Sequence, residues 1–397
     1  MSKRFTIHNL ANNLANNLAI YIHWPFCLAK CPYCDFNSHV RETIDEAAWG
    51  HALVQELDHY RTLSGPRTIT SIFFGGGTPS LMSGSTVEKL LSHIANLWAM
   101  SPEVEISLEA NPTSVEAGKF KDFSAAGINR VSLGIQALND ADLKALGREH
   151  NAKEARNAID LSQKYFKRAN FDLIYARMGQ TPDQWAAELS EAVHMAAAHL
   201  SLYQLTIERG TAFYQAHNKG QIILPSDDMA ADMYELTQQI CNAHHLPAYE
   251  ISNHAKRGEE SRHNLTYWKY ADYLGVGPGA HGRLSIDGEI YALSQERSPE
   301  KWLSQVAAFG HATAQKEVLT AQMRAEEMIM MGLRLTQGLN LKDFETRVGQ
   351  KIEGFIDQSY LQRLLELGYM ERDAHHLKAT DQGLPLLNDL LRRILCH

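Results

Sequence analysis

Three of the five cysteines lie close together, at Cys27, Cys31 and Cys34, with the spacing Cys-x3-Cys-x2-Cys. They directly follow an apolar, β-like run at 18–24. A compact loop with three thiolates can hold three irons of a cubane [4Fe–4S] cluster and leave the fourth iron open for a ligand. Aromatic residues flank the cysteines, and an apolar shell of this kind shields a cluster from water and tunes its potential. The spacing therefore predicts an open iron–sulfur cluster.

Two other uses of these cysteines fit the sequence less well. A structural zinc site has four closed ligands, and the fourth would have to be His23, His39 or a distant residue. A disulfide fits poorly, because three cysteines cannot all pair and nothing else in the chain is typical of a secreted protein. Free thiols together with an oxidation-sensitive cluster predict a reducing, cytoplasmic location.

The composition narrows the choice of partners. The chain has 397 residues, of which 44% are hydrophobic and 21% are charged, and its formal net charge is −8. These values are typical of a globular protein with more than one domain. The negative charge argues against nucleic acid or an anionic membrane as the main partner. Because no run of about 18 apolar residues is present, we expect no membrane-spanning segment, and only peripheral contact with a membrane stays open.

Six strand-like runs alternate with helical patterns between residues 18 and 206, which is typical of parallel βαβ units. Such units wind either into an open doubly wound sheet or into a complete or partial barrel. Polar residues lie at the ends of the runs, and barrels have their active face at the carboxyl ends of the strands. We therefore predict an α/β fold with a partial (β/α)6 barrel over 18–245. The six runs are 18–24, 69–74, 103–109, 130–134, 170–174 and 200–206.

The polar groups at these strand ends are candidate ligand contacts. Glycines 75–77 follow the second run, and glycine lets a backbone approach a ligand closely; a plain strand-to-helix turn is the alternative. Glu109, Gln136 and Asp172 end or follow later runs, and their shared location favours ligand contact over helix capping. Arg148 carries a guanidinium that could pair with a bound carboxylate in a forked geometry.

The chain changes character between 246 and 300. Residues 262–268 form a dense polar and aromatic cluster, and 273–282 is rich in glycine. Histidine is a ligand of haem iron, but a lone histidine is more often a hydrogen-bonded structural residue. On the residues alone, this favours a structural role for His263. His281, among the glycines, is a weaker candidate.

The tail, 301–397, is predicted to form helices followed by a short hairpin, which indicates a winged-helix-like domain. From Arg324 onward it has 10 Lys and Arg residues against 11 Asp and Glu residues. Because DNA binding needs a basic face, this balance favours a packing or lid domain. At the other end, 1–17 is polar and repeats Leu-Ala-Asn-Asn, so we expect a flexible N-terminal extension.

From about residue 18, the chain resembles the radical S-adenosylmethionine (radical SAM) family of oxygen-independent coproporphyrinogen III oxidases. The resemblance implies that the three cysteines bind the cluster and that the amino and carboxylate groups of SAM chelate its open iron. It also implies that an electron from the reduced cluster cleaves SAM to a 5′-deoxyadenosyl radical. The matching motifs are Tyr-Ile-His-x-Pro-Phe-Cys-x3-Cys-x2-Cys at 21–34, Gly-Gly-Gly-Thr-Pro-Ser at 75–80, Glu-Ala-Asn-Pro at 109–112, Ser-Leu-Gly-Ile-Gln at 132–136 and Leu-Gly-Arg at 146–148.

The same resemblance assigns the contacts to SAM. In the oxidase some of these positions serve a second SAM molecule, so the number of SAM molecules stays open. The predicted SAM contacts are Tyr21, Tyr33, Gly76, Gly77, Thr78, Glu109, Gln136, Arg148 and Asp172.

Two features distinguish the branches of this family. The oxidase has a further cysteine two residues after the third one, where this chain has Phe36. The stretch 263–268, His-Asn-Leu-Thr-Tyr-Trp, resembles the His-Asn-x-x-Tyr-Trp motif of the haem chaperone (HemW) branch. This resemblance implies a protein that binds haem, with His263 as the leading candidate ligand, and hands the haem to haem-requiring respiratory proteins. It leaves enzyme activity open and leans towards none.

Two enzymes remain as alternatives to the chaperone. One is the coproporphyrinogen III oxidase itself, which decarboxylates two propionates to vinyl groups, and the other is a radical SAM enzyme acting on a different tetrapyrrole. The phenylalanine in place of the further cysteine and the motif at 263–268 favour the chaperone. The haem acceptor, the mode of haem attachment, the cleavage of SAM and the oligomeric state stay open.

Overall fold

The computed structural model describes residues 16–395. The predicted extension 1–17 lies outside this range except for its last two residues, and Asn17 opens the first strand. Cys396 also lies outside the described residues. Cys241 is a free and buried thiol.

Strands and helices alternate along most of the described chain. None of the helices within 16–395 is long and apolar enough to cross a membrane. The strands are β1 Asn17–Trp24, β2 Phe26–Cys27, β3 His39–Val40, β4 Thr68–Gly76, β5 Ala99–Ala110, β6 Arg130–Gln136, β7 Arg168–Tyr175, β8 His199–Gln204, β9 Asn253–Ala255, β10 Tyr273–Val276, β11 His281–Ile286, β12 Glu289–Gln295, β13 Thr313–Val318, β14 Leu339–Asn340, β15 Met370–Arg372 and β16 His376–Ala379. The helices are α1 Glu46–Ser64, α2 Gly84–Leu97, α3 Ser114–Ala117, α4 Phe120–Ala126, α5 Asp140–Ala145, α6 Ala152–Tyr165, α7 Pro182–Met195, α8 Ala212–Asn218, α9 Asp227–Ala243, α10 Arg262–Trp268, α11 Pro299–Phe309, α12 Ala321–Gly332, α13 Leu341–Val348, α14 Gln358–Glu366 and α15 Leu387–Ile394.

One large sheet organises most of the described chain. β1, β4, β5, β6, β7 and β8 are parallel and adjacent in that order, which confirms the predicted barrel wall. β9 lies antiparallel to β8 at one edge. At the other edge, β10 to β13 continue the sheet beyond β1. The sheet does not close on itself, so the barrel is partial, as predicted.

Side chains alternate between the two faces of the parallel strands. On β1, Leu18, Ile20 and Ile22 are fully buried in the core between the sheet and its helices. Burying a side chain of this size stabilises the fold by roughly 1.5–3 kcal/mol. Because the side-chain period of a strand is two, Tyr21 and His23 lie on the opposite, inner face. The apolar run that anchors the strand therefore also aims its polar residues into the barrel.

The helices that cover the sheet begin at clear sequence signals. α6 starts after Asn151 and α7 starts after Thr181, and each has a capping box with the third helical residue, Glu154 or Gln184. A capping box satisfies backbone N–H groups that the first helical turn leaves free. The α6 signal fixes the end of the short loop that carries Arg148.

The region 246–300 is built into the same sheet. β10 pairs in parallel with β1, with Tyr273 opposite Ala19 and Val276 opposite Ile22. The sheet continues through β13, beyond residue 300. The stretch 263–268 forms most of α10, which lies against the inner face of β4.

A second core lies in the C-terminal part. Its buried residues come mainly from α12 to α15 and from the three-stranded sheet with the order β14–β16–β15. These helices and the β15–β16 hairpin match the winged-helix-like arrangement predicted for the tail. β14 adds a third strand that the sequence did not indicate.

Asp272 connects the two cores. Its buried carboxylate forms ion pairs with Arg67 at 3.3 Å, just before β4, and with Arg347 at 2.8 Å, in α13. It also accepts the backbone N–H of Ser285 at 2.8 Å. Because a buried charge is strongly destabilising once its partner is removed, this cluster fixes the C-terminal part against the sheet.

Candidate functional site

The three cysteines lie in one loop beyond the carboxyl end of β1. Cys27 ends the short strand β2, and Cys31 and Cys34 lie in the turn that follows, where the N–H of Cys34 donates to the carbonyl of Cys31 at 3.1 Å. Cys27 is buried, the other two are half-buried, and all three are free. Burial raises the pKa of Cys27, and the neighbouring Cys34 and Cys31 add to that rise. The structure thus brings the predicted cluster ligands together.

Hydrogen-bond donors reach the cysteine sulfurs from other strands. The hydroxyl of Thr78 donates to Sγ of Cys27 at 3.4 Å. Nη1 of Arg148 donates to Sγ of Cys31 at 3.2 Å. Donors and positive charge favour the thiolate, which is the form that binds a metal. Hydrogen bonds to the sulfurs also tune the potential of an iron–sulfur cluster.

The loop fits a cubane cluster better than a single metal ion. Within residues 16–395, no three His, Cys, Asp or Glu side chains are arranged to hold one metal ion. A cubane has a different requirement, since each thiolate binds an iron of its own. Gly77 keeps the space beside the loop free, because a Cβ there would lie 3.0 Å from Sγ of Cys27 and 2.6 Å from the carbonyl oxygen of Phe26. The hydroxyl of Ser38 lies 3.9 Å from Sγ of Cys34.

The glycines after β4 pack directly onto the cysteine loop. Gly76 has a φ of 118°, and a Cβ there would lie 2.7 Å from the ring of His23. The N–H of Gly77 donates to the carbonyl of Trp24 at 2.8 Å. The N–H of Gly76 donates to Oε2 of Glu109 at 3.2 Å. The close approach predicted for these glycines is therefore, in the first place, an approach to the cluster-binding loop.

Arg148 joins the cysteine loop to the ends of β5 and β6. Besides Cys31, its guanidinium donates to Oδ1 of Asn111 at 2.6 Å and to the carbonyl of Gly134 at 2.8 Å. Asn111 in turn donates to the hydroxyl of Thr78 at 3.2 Å. Nε of Arg148 is buried and has no hydrogen-bond partner within the described residues. An unpaired buried donor is costly, so this nitrogen fits the carboxylate of a bound ligand.

Two carboxylates lie near each other inside the barrel. Burial raises the pKa of Glu109 to about 8, and the charge of Asp172 adds to the rise. Burial also raises the pKa of Asp172 to about 6, against the effect of hydrogen bonds from Ser201 and Ser132. A cationic ligand would supply the counter-charge that these groups lack and would favour their ionised forms.

The other predicted SAM contacts surround this interior. The hydroxyl of Tyr21 lies 3.0 Å from Nδ1 of His23. Tyr33 packs its ring 6.1 Å from that of Phe213, next to the cysteine loop. Gln136, at the end of β6, has a φ of 72°, and left-handed backbone in a non-glycine residue is concentrated at functional sites. The predicted SAM contacts thus lie around one end of the barrel.

The predicted haem ligand, His263, lies in α10 on the inner face of the sheet. It is 1% exposed, and its ring stacks on that of Phe73 with centroids 4.9 Å apart. Nδ1 lies 3.0 Å from the hydroxyl of Ser71, and Nε2 lies 2.5 Å from the hydroxyl of Tyr267. Burial lowers its pKa to about 3, so the imidazole is neutral, as iron binding requires. Iron could bind at Nε2 only after the Tyr267 hydroxyl had moved. The second candidate, His281, is exposed at the start of β11.

Sequence reasoning missed several polar residues that support the site. His23, Asn37 and Ser71 each contact a predicted residue or the cysteine loop. Ser71 had only a weak signal, because it and Thr70 are the two hydroxyl residues of the otherwise apolar run 69–74. Asn37 had no sequence signal, because its hydrogen-bond partners are far away in the chain.

Two family descriptions match this chain. The radical SAM superfamily matches residues 21–191, which include the three cysteines and five of the six parallel strands. The HemN C-terminal domain matches residues 319–386, which make up most of the second core.

Curated relatives match over nearly the full length. Radical S-adenosyl methionine domain-containing protein 1, mitochondrial, of Bos taurus is 37% identical over 95% of this chain and 87% of its own length. The heme chaperone HemW of Haemophilus influenzae is 36% identical over 95% of this chain and 98% of its own length. The heme chaperone HemW of Escherichia coli is 34% identical over 96% of this chain and 98% of its own length.

A solved structure shares the fold. Coproporphyrinogen III oxidase (HemN) from Escherichia coli is similar with a TM-score of 0.80, over 98% of this chain and 94% of that chain. The two sequences are 21% identical, so the likeness concerns the fold alone. It agrees with the partial barrel and C-terminal domain described above.

Proposed function

The chain belongs to the radical SAM superfamily, in the family that contains the heme chaperone HemW, and from this membership we propose that it binds haem and a SAM-ligated [4Fe–4S] cluster and delivers haem to haem-requiring proteins. The observation that carries the proposal is the position of the stretch 263–268. It packs inside the same barrel whose rim carries the three cysteines. One barrel therefore carries a histidine in its interior and three free cysteines at its rim.

In this proposal, Cys27, Cys31 and Cys34 hold the cluster. When bound, a SAM-ligated cluster supplies one-electron reduction of the SAM sulfonium. Arg148 donates to Sγ of Cys31, and its unpaired Nε would be available to the carboxylate of SAM. Glu109 and Asp172, in their ionised forms, would attract the positive sulfonium of SAM.

Haem binding is assigned to His263. Its neutral imidazole is held at Nδ1 by Ser71, which leaves Nε2 as the nitrogen for iron once Tyr267 releases it. A hydrogen bond at one ring nitrogen orients the other towards a metal, as in many metal-binding histidines. Respiratory enzymes that need haem are the proposed acceptors, and the proposed location is the cytoplasm, with at most peripheral contact with a membrane.

Oxygen-independent coproporphyrinogen III oxidation is the second candidate. The shared fold with HemN and the presence of every predicted SAM contact favour it. Phe36 weighs against it, because this residue stands where the oxidase has a further cysteine, and its side chain is 60% exposed beside the loop.

Two parallel assays on anaerobically reconstituted protein separate the candidates. One is a haem titration followed by Soret absorbance. The other supplies coproporphyrinogen III, SAM and a low-potential reductant, and measures protoporphyrinogen IX. Saturable binding of about one haem without turnover supports the chaperone, and turnover would make the protein an oxidase.

A further inference from the structure

Asn37 follows Cys34 in the cysteine segment, 27–38, and forms hydrogen bonds through its backbone carbonyl and both ends of its amide. Its Nδ2 donates to the carbonyl of Pro278 and to the carbonyl of Arg297, both at 3.0 Å. Its Oδ1 lies 3.3 Å from Nε2 of His39. Its backbone carbonyl accepts from Nε2 of His23 at 2.9 Å. Both protons of its amide thus bind residues about 240 or more positions away in the chain.

The glycine-rich turn between β10 and β11 is shaped to receive this asparagine. Gly279 has a φ of 75°, and a Cβ there would lie 2.6 Å from Nδ2 of Asn37. Gly277 has a φ of 101°, and a Cβ there would lie 2.4 Å from the carbonyl oxygen of His23. Any larger residue would be strained by its backbone and would also collide with β1 or with the cysteine segment. The close packing of the turn against β1 and the cysteine segment therefore explains why glycine stands at 277 and 279.

The cysteine loop depends on such outside contacts. It contains little regular structure of its own, apart from the short bridge between β2 and β3. Other parts of the chain hold it by several hydrogen bonds. Thr78 donates to Cys27, Arg148 donates to Cys31, and the N–H of Phe213 donates to the carbonyl of Pro32 at 2.9 Å. Asn37 contacts the glycine-rich turn. Of these contacts, the one made by Asn37 lies nearest to Cys34 in the sequence.

We propose that Asn37 is a positioning residue for the cluster, through which the glycine-rich turn 277–279 holds the end of the cysteine loop in place. It touches no reacting atom and acts by fixing where Cys34 lies relative to the other two thiolates. A ligand must be held within about 0.5 Å for a productive site, and a side chain locked by two carbonyls can do this. The inference rests on the cluster-binding part of the proposed function and not on haem binding.

The hydrogen bonds also connect the loop to the barrel interior. A carbonyl oxygen only accepts, so Nε2 of His23 must carry the proton that binds Asn37. Nδ1 of His23 then accepts the hydroxyl of Tyr21. Asn37 thus joins the cysteine loop to two predicted elements of the site at once, the inner face of β1 and the glycine-rich turn.

Two variants test the contact between Asn37 and the glycine-rich turn. Asn37→Ala removes the amide. Gly279→Ala inserts a methyl group against that amide, from a residue more than 240 positions away in the chain. Each has a matched control. Asn157→Ala changes an exposed asparagine in α6, and Gly258→Ala changes an exposed glycine with a φ of 88° and no atom within 4 Å of its Cβ. Both glycines have a left-handed φ, but only at Gly279 would the added Cβ meet Asn37.

Three readouts are needed, and two of them require the cluster. They are the electron paramagnetic resonance spectrum of the reduced cluster with and without SAM, the rate of cluster loss to a chelator, and amide hydrogen exchange of 28–38 in the cluster-free protein. We expect Asn37→Ala and Gly279→Ala to lose the cluster at least tenfold faster, to show an altered spectrum and to exchange faster across 28–38. Both controls should behave as wild type.

The inference is overturned if both test variants match the controls in cluster loss, spectrum and exchange. Failure of the proposed function looks different, because the wild-type protein itself would then bind no cluster. Hydrogen exchange in the cluster-free protein would still decide the role of Asn37 in that case. If Asn37→Ala does not fold, Gly279→Ala alone gives the same comparison with Gly258→Ala.

Discussion

The hydroxyl of Tyr267 lies 2.5 Å from Nε2 of His263 and occupies the position that haem iron would need. The two residues are one helical turn apart in α10, so the contact is local and built into the motif 263–268. Nδ1 of the same ring lies 3.0 Å from the hydroxyl of Ser71, which orients the imidazole from β4. If His263 is the haem ligand, as proposed, haem would have to displace the Tyr267 hydroxyl from this conformation.

Tyr267→Phe should bind haem more tightly than wild type. The change removes the hydroxyl, whereas the ring still packs edge-on against Tyr273 at 4.5 Å. The hydrogen bond to be broken has a net worth of about 0.5–1.5 kcal/mol, so we expect a gain of roughly two- to 13-fold in haem affinity. A Soret titration measures it. Weaker binding would show that the hydroxyl contacts haem itself.

Cys31→Ala should abolish the broad visible absorption of the reconstituted cluster. Cys31 is one of three proposed ligands, and a cluster held by only two thiolates in a partly exposed loop is not expected to survive. Cys241→Ala is the matched control, because Cys241 is a buried free thiol in the main core away from the loop. An unchanged spectrum in Cys31→Ala would contradict the cluster assignment.

SAM affinity should rise as the pH is raised from 6 to 8. The pKa of Glu109 is raised to about 8 and that of Asp172 to about 6, so both carboxyls lose protons across this range. SAM carries a sulfonium, and ionised carboxylates attract its positive charge. Isothermal titration of the cluster-loaded protein measures the effect. In Glu109→Gln the increase should be reduced, and an affinity that is flat with pH in wild type would contradict the assignment.

Glu109→Gln should stabilise the cluster-free protein at pH 8.5 more than at pH 5. The pKa of Glu109 is raised from 4.5 to about 8, so its contribution to stability is full below 4.5 and is lost as the pH rises through 8. Glutamine stays neutral and keeps an oxygen for the N–H of Gly76. We expect a midpoint higher by roughly 2–4 °C at pH 8.5 in thermal unfolding. A larger rise in the unfolding midpoint at pH 5 than at pH 8.5 would contradict the raised pKa of Glu109.

The sequence predicts the parallel part of the fold because that part follows local patterns. The run 18–24 alternates apolar and polar residues on a strand, and Asn151 and Glu154 mark the start of α6. The continuation of the sheet through β10 to β13 follows no such pattern. It depends on pairing Tyr273 with Ala19, about 250 residues earlier, and only the folded chain reveals this contact.

The candidate site shows the same contrast between local patterns and long-range contacts. The spacing of the cysteines shows that they share one loop, because such closeness is a property of the sequence itself. Asn37 and Ser71 could not be assigned, since their partners lie at Pro278 and His263. The glycine-rich stretch 273–282 indicated only His281 as a weaker haem-ligand candidate, whereas in the structure its Gly279 admits Asn37.

The most direct test of the central claim is a haem titration of wild type, His263→Ala and His281→Ala, each with its cluster reconstituted. His281 is exposed and is the weaker candidate ligand, so His281→Ala tests the alternative assignment with the same loss of an imidazole. We predict saturable binding of about one haem by wild type and His281→Ala, and at least tenfold weaker binding by His263→Ala with the cluster spectrum unchanged. Wild-type haem affinity in His263→Ala would contradict the assignment of the ligand, and no saturable binding by wild type would contradict the proposed haem chaperone.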